Sequence, residues 1–194
     1  QTLAGTVDIA TVPSLAASVF ESVKTEATGL TASPLTAPMA QLYVLRHAGL
    51  AEAIGSALAG KICGAGQSSF GELLYDAYRS QMVSIIGRPE VLSSVIADLA
   101  KCWTTDPAMQ GLFQGLFFFK GFQALSVYRV AHELWREGGA PSVHAALFLQ
   151  SRASELFAVD IHPAATIGAG ALLDHASGIV IGSTAVIGKG CYML

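Results

Sequence analysis

From residue 160 to residue 194 the chain reads DIHPAATIGAGALLDHASGIVIGSTAVIGKGCYML, and an aliphatic side chain returns at every sixth position. The series runs Ile161, Ile167, Leu173, slips by two residues, and resumes at Ile181, Ile187 and Met193. Gly follows directly at Gly168, Gly182 and Gly188. Helix faces repeat at 3.6 residues and strand faces at 2, so neither element carries this pattern. Six is the period of a parallel β-helix built from hexapeptides, in which each aliphatic side chain fills a narrow shaft and small residues turn the corners. The slip falls over Asp174 and His175. An extra pair of residues in a regular coil has to bulge outward, so the period places an acid and an imidazole on the surface.

Upstream, residues 1–158 change to helical spacing, and the boundary is expected near Ala158, leaving residues 159–194 to the β-helix. Residues 1–13 read as a loosely ordered start. Helices are expected over 14–28 with Leu15, Val19 and Val23 inward, from Ser33-Pro34 through His47, and over Leu50–Cys63, ended by Gly64-Ala65-Gly66. Ser68 or Ser69 with Glu72 suggests a capping box for a helix to Met82. Another opens at Pro89 and ends near Trp103, before the break at Asp106-Pro107. Two more, over 120–137 and 141–157, are separated by Gly138-Gly139, with inward stripes Phe122, Leu125, Tyr128 or Arg129, His132, Trp135 and Val143, Leu147, Gln150, Ser154, Phe157. The helical part is expected to cap the solenoid, because a coil cannot cover its own end.

Composition narrows the partners. Charged residues are only 13% and hydrophobic ones 52%, so much of the surface is small and neutral or covered by other subunits. A net charge of −3 argues against nucleic acid and anionic membranes. The most apolar run, residues 111–119, is about half of what spans a bilayer. Cys63, Cys102 and Cys191 are an odd, scattered set that reads as reduced thiols of an intracellular protein, and no metal-ligand spacing is present. The expected location is cytoplasmic, with a plastid or mitochondrial one left open.

LLDHASGIVIGSTAVIG, the DIHPAA before it and KGFQALSVYRVAHELW upstream resemble serine acetyltransferase, a hexapeptide-repeat acyltransferase, over about residues 18–194. The resemblance implies an α+β protein, an N-terminal all-helical domain followed by a left-handed parallel β-helix, here incomplete because the chain stops at Leu194 after roughly two coils. It implies acetyl transfer from acetyl-CoA, as co-substrate rather than resident cofactor, to the hydroxyl of L-serine in cysteine biosynthesis. It also implies trimers paired into hexamers, and inhibition by L-cysteine in the serine pocket. O-acetylserine sulfhydrylase is a partner of the family, but the C-terminal tail by which the family docks into it is not among these residues.

Such chemistry needs a base at the hydroxyl. Imidazole, with an ordinary pKa near 6.5, suits it and contributes on the order of 10²–10⁴ in rate, best when a carboxylate orients it. Asp160 precedes His175 by fifteen residues, close to one coil of eighteen, so neighbouring levels could bring the two together. The residues alone leave His175 equally well explained as a corner residue; the resemblance implies that Asp160 and His175 form the catalytic dyad. It likewise implies that Asp174 and the Asp106 of a D-P step, the latter from a neighbouring subunit, hold the serine ammonium, a job for acids rather than an apolar slot. His162 reads as structural, His47, His132 and His144 as packing or hydrogen-bonding residues, and Cys191 as a small inward filler. Two departures stand out: Gly182-Ser183-Thr184 replaces the family's Gly-Glu-Thr, and its Gly-Gly-Thr-Gly and Arg-His-Pro motifs do not occur. The coenzyme-binding residues are therefore not identified. Two other readings remain, an acyltransferase for a sugar or antibiotic hydroxyl and a truncated, non-catalytic oligomerisation module.

Overall fold

The computed structural model describes residues 8–64 and 69–194. A 3-10 turn at Ile9–Thr11, fixed by the Asp8 side chain, leads into α1 (Val12–Leu30). The helix thus starts just before Pro13, in a segment expected to be loose. Its buried stripe is Val12, Ala16, Phe20, Val23 and Ala27, rotated about one position from the predicted face, with Leu15 and Val19 at the margin. Ser33-Pro34 forms a turn instead of a helix start; α2 (Ala37–Ala40) opens at Ala37, with Pro38 in its first turn, and runs into a π-helical turn, Gln41–Leu45. The helix α3 (Leu50–Cys63) ends on Gly64 at φ +63°, a left-handed cap that glycine adopts without cost. Ala65, Gly66 and Ser68, named above as stop and cap, lie outside the described residues.

Helix α4 (Ser69–Ile86) runs four residues past its predicted end, because nothing in its sequence breaks it before Gly87. Next come α5 (Pro89–Thr105), α6 (Leu112–Phe118), α7 (Lys120–Glu137) and α8 (Gly139–Phe157). The short α6 carries Phe117 and Phe118 of the aromatic run 117–119, for which the sequence suggests a buried helix or a subunit contact without giving its bounds. Its first amides, of Leu112 and Phe113, donate to the two oxygens of Glu26 on α1 at 2.9 and 2.8 Å, so its cap is supplied from far away in the chain.

Helix α7 carries no single stripe. Residues Gly121 through Ala131 are all buried, because α7 packs against α4, α5, α6, α8 and the first β-strands. The inner face of α8 is Ala146, Leu149, Ala153 and Phe157, while Leu147, predicted inward, is 37% exposed.

Six short strands follow: β1 (Val159–Ile161), β2 (Thr166–Ile167), β3 (Leu172–Leu173), β4 (Ile179–Ile181), β5 (Val186–Ile187) and β6 (Tyr192–Met193). They pair in parallel, β1 with β4, β2 with β5 and β3 with β6. Val159 lies beside Ile179, Thr166 beside Val186 and Leu172 beside Tyr192. One coil is thus 20 residues, the hexads plus the two-residue slip. Val159, Ile161, Ala165, Ile167, Ala171, Leu173 and Ile181 fill the shaft.

Three residues of α7 close the first coil. The Tyr128 hydroxyl donates to the Ala165 carbonyl (2.7 Å) and accepts from the Ile167 amide (3.2 Å). The His132 Nδ1 meets the Pro163 carbonyl at 2.7 Å, acting as a donor. Arg129 reaches the Ile167 and Gly168 carbonyls and grips Asp98 of α5 through Nε and Nη2, at 2.6 and 2.8 Å. Asp98 in turn accepts from the Ala171 amide at 2.9 Å. Burial raises the Asp98 pKa, and the Arg129 charge and hydrogen bonds pull it back down. Polar backbone at the end of the shaft, which would otherwise be buried without partners, is satisfied by helix side chains. A Cβ at Gly121 would sit 1.9 Å from the Leu173 carbonyl oxygen, so α7 meets β3 at a distance that only glycine permits.

Candidate active site

The two-residue slip forms the corner 174–178, between β3 and β4. His175 and Ala176 both have left-handed backbones, φ +52° and +58°, and Gly178 follows at +86°. Consecutive left-handed non-glycine residues cost on the order of 1–3 kcal/mol each and persist only where surroundings impose them. Those surroundings are visible. The Asp174 amide donates to the Met193 carbonyl (2.7 Å), the Ala176 amide to Asp174 O (2.5 Å), the Ser177 amide to His175 O (2.8 Å) and the Gly178 amide to Ala158 O (2.8 Å). Ala176 is buried, and Lys120 at the start of α7 donates from Nζ to the Ser177 hydroxyl. The corner is therefore anchored by its inward Ala176 and thrusts its neighbour out: the His175 side chain is 86% exposed.

Asp174 and His175 are brought together. Asp174 Oδ1 lies 3.9 Å from His175 Nε2, and its Oδ2 accepts from the Tyr192 hydroxyl at 2.7 Å. That hydrogen bond, with slight burial and the charges of Asp174 and Asp106, holds the Tyr192 phenol above its ordinary pKa. Asp106, which the resemblance implies reaches the site from a neighbouring subunit, makes no hydrogen bond or ion pair with Asp174 or His175 of its own chain among the described residues. It closes α5, and its Oδ1 accepts from the Ala108 amide at 2.8 Å, a side-chain turn made by the D-P step itself.

Asp160 is held differently. It occupies the middle of β1, its register partner on the next coil is Val180, and its Oδ1 accepts from Gln150 Nε2 of α8 at 2.7 Å. Among the described residues no hydrogen bond or ion pair joins Asp160 to His175. The eighteen-residue coil on which their closeness was reckoned is lengthened to 20 by the slip, so His175 sits at the corner before the position level with Asp160.

The other histidines are structural in their contacts. His162 accepts from the Ala164 amide at 3.0 Å and meets Trp135 edge-on, and His144 bonds the Ala140 carbonyl. Cys191 is half-buried, at the level of the fully buried Ala171 one coil earlier. Burial pushes the Cys102 thiol up to about 12, which removes it as a nucleophile at neutral pH. Gln150, Lys120, Ser177 and Tyr192 had no role assigned from sequence: Gln150 counted only as stripe, and Lys120 only as part of the KGFQAL string. Among the described residues no cluster of three or more His, Cys, Asp or Glu is arranged to hold a metal.

This corner and the bundle above it have known counterparts. A family profile described as serine acetyltransferase, N-terminal, matches residues 19–127, more than half of the chain. The chain belongs to the serine acetyltransferase family. A probable serine acetyltransferase of Oryza sativa subsp. japonica is 42% identical over 177 residues, covering 91% of this chain and 50% of that protein. The serine acetyltransferase of Salmonella typhimurium is 38% identical over 172 residues, 87% of this chain and 59% of its own. The chain thus spans about half the length of the curated relatives it matches. A soybean serine acetyltransferase solved in complex with serine has a TM-score of 0.80 at 37% identity, over 92% of this chain and 71% of that one. A serine acetyltransferase solved with CoA has a TM-score of 0.81 at 31% identity, over 91% and 73%. The family fold, helices followed by short parallel hexapeptide strands, is the fold described above.

Proposed function

We propose that the protein carrying this chain is a serine O-acetyltransferase, an acyltransferase that moves acetyl from acetyl-CoA to the L-serine hydroxyl. Residues 1–158 act in this reading as the capping and oligomerising domain and residues 159–194 as the start of the catalytic β-helix. The observation that carries it is the corner itself: an exposed imidazole on a strained, anchored turn, beside a carboxylate whose Oδ1 is 3.9 Å away. An acceptor with an amine and a hydroxyl on adjacent carbons can place its ammonium on Asp174 and its hydroxyl on His175. The hydroxyl oxygen attacks the thioester carbon, and His175 takes its proton. The C–S bond breaks as the tetrahedral centre collapses, and the imidazolium returns the proton to the departing CoA thiolate, leaving O-acetyl-L-serine and CoA.

Asp106, supplied by a neighbouring subunit, adds a second acid for the ammonium in this reading. Asp160 orients His175 in this reading once the His175 side chain turns toward β1; Gln150 already fixes that carboxylate. The relative solved with serine and the one solved with CoA support the pair of substrates. Exposed Val180 (73%) and Val186 (80%) on the outer face support assembly of β-helices into the trimers and hexamers implied above. Among the described residues no helix is long and apolar enough to cross a membrane; a cytoplasmic location and inhibition by L-cysteine belong to the same reading. The test is CoA-thiol release from acetyl-CoA by the full-length protein. Serine-dependent release that falls about 10²–10⁴-fold in His175→Ala, with the fold intact by circular dichroism, is the expected result. Release only with a sugar or chloramphenicol as acceptor, or equal rates in the variant, overturns it.

A further inference from the structure

Short acids at corners ordinarily fold back on their own backbone, accepting from the amide two residues on. Asp106 does so with Ala108. Asp174 does not: the Ala176 amide donates to the backbone oxygen of Asp174, leaving the carboxylate uncommitted to its own turn. Among the described residues its hydrogen-bond partner is on the next coil. The Met193 carbonyl takes the Asp174 amide, and the Tyr192 hydroxyl donates to Oδ2 at 2.7 Å. Tyr192 stands at the outward position of its hexad, where the preceding two hexads have Val180 and Val186. An aliphatic residue there offers no donor, so the phenol is what distinguishes this hexad. With Oδ2 held, Oδ1 is the oxygen left facing His175.

We propose that Tyr192 is a positioning residue for the amine end of the acceptor, its hydroxyl clamping one oxygen of Asp174 so that the other receives an ammonium beside His175. The proposal deepens the acceptor assignment above and rests on it. Tyr192 touches neither the hydroxyl nor the thioester, so it acts on acceptor binding and leaves proton transfer alone. Loss of the phenolic hydroxyl frees the carboxylate to rotate and weakens the grip on amine-bearing acceptors.

The test is Tyr192→Phe in the full-length protein, a change that keeps the ring and removes one oxygen. Steady-state kinetics should give an L-serine KM raised about tenfold, the usual effect of losing a hydrogen bond to a charged group, with kcat and the acetyl-CoA KM changed by less than about twofold. An unchanged serine KM, or a fall in kcat at constant KM, overturns the proposal while leaving wild-type serine turnover, and so the acceptor assignment, intact. A wild-type protein that acetylates no hydroxy amine overturns both. A readout independent of turnover is the ultraviolet tyrosinate titration. One phenol should titrate at lower pH in Asp174→Asn than in wild type and be missing from Tyr192→Phe. Superimposable wild-type and Asp174→Asn curves overturn the clamp.

Discussion

His47 shows how a single side chain can carry acid sensitivity. It is buried where the π-helical turn ends, with Nε2 against the Leu42 carbonyl at 3.0 Å and Nδ1 3.8 Å from Glu52. Burial lowers its pKa below the ordinary 6.5, the Leu42 carbonyl and Glu52 oppose this, and Arg46 and Arg79 add to it. The folded state therefore binds this proton less readily than the unfolded chain does. Its contribution to stability is complete above about pH 6.5 and declines as pH falls from there toward the folded-state pKa. Melting temperatures of wild type should drop on acidification through that window, and His47→Gln should flatten this part of the profile. In sequence His47 is one of three histidines on helices without an evident acidic partner, and it reads as a packing or hydrogen-bonding residue. Glu52 comes back to it through a local turn, its carboxylate accepting from the Ala48 amide, and Arg79 joins them only when α3 and α4 lie side by side.

At the scale of elements, α6 is the instructive case. Gly111 at its start makes no side-chain cap, and seven residues would not hold a helix in isolation. Glu26 supplies both the hydrogen bonds and the negative charge that a helix N-terminus favours. Glu26→Ala should cost about 1–2 kcal/mol, read as a lower urea midpoint at unchanged m-value. A local reading of residues 111–119 allows a buried helix or a subunit contact for the aromatic run but does not locate where a helix would start, because the start signal lies on α1. The stripes of α1 and α8 were misplaced for a related reason. Alanines do much of the inward packing, at Ala16, Ala27, Ala146 and Ala153, while larger Leu15 and Leu147 lie at the margin.

For the whole molecule, the joint between bundle and solenoid rests on Asp98 and Arg129. Asp98→Asn would leave a buried guanidinium without its counter-charge, a loss of about 3–5 kcal/mol. Because the same carboxylate holds the Ala171 amide, hydrogen exchange in β1–β3 and in α5 and α7 should speed up together. Faster exchange in the helices alone would show that the two layers are not coupled there. The catalytic corner depends on the same joint, since Lys120 and Gly121, at the start of α7, meet Ser177 and Leu173 on either side of it.

The one-dimensional pattern was enough for the six-residue beat, the two-residue slip and the exposure of His175, because a solenoid stacks residues at fixed intervals along the chain. It was also enough for the approximate spans of the long helices, whose caps and breakers are local. Folding alone decided which side chains meet: Glu26 with α6, Asp98 and Arg129 with the first coil, Gln150 with Asp160, and Tyr192 with Asp174. Those pairings depend on how elements pack in three dimensions, and no periodicity along the chain encodes that. The slip illustrates the division. Its place could be read from the letters, but the 20-residue coil it creates, which moves His175 off the level of Asp160 and brings Asp174 within reach of Tyr192, is a property of the stacked rungs.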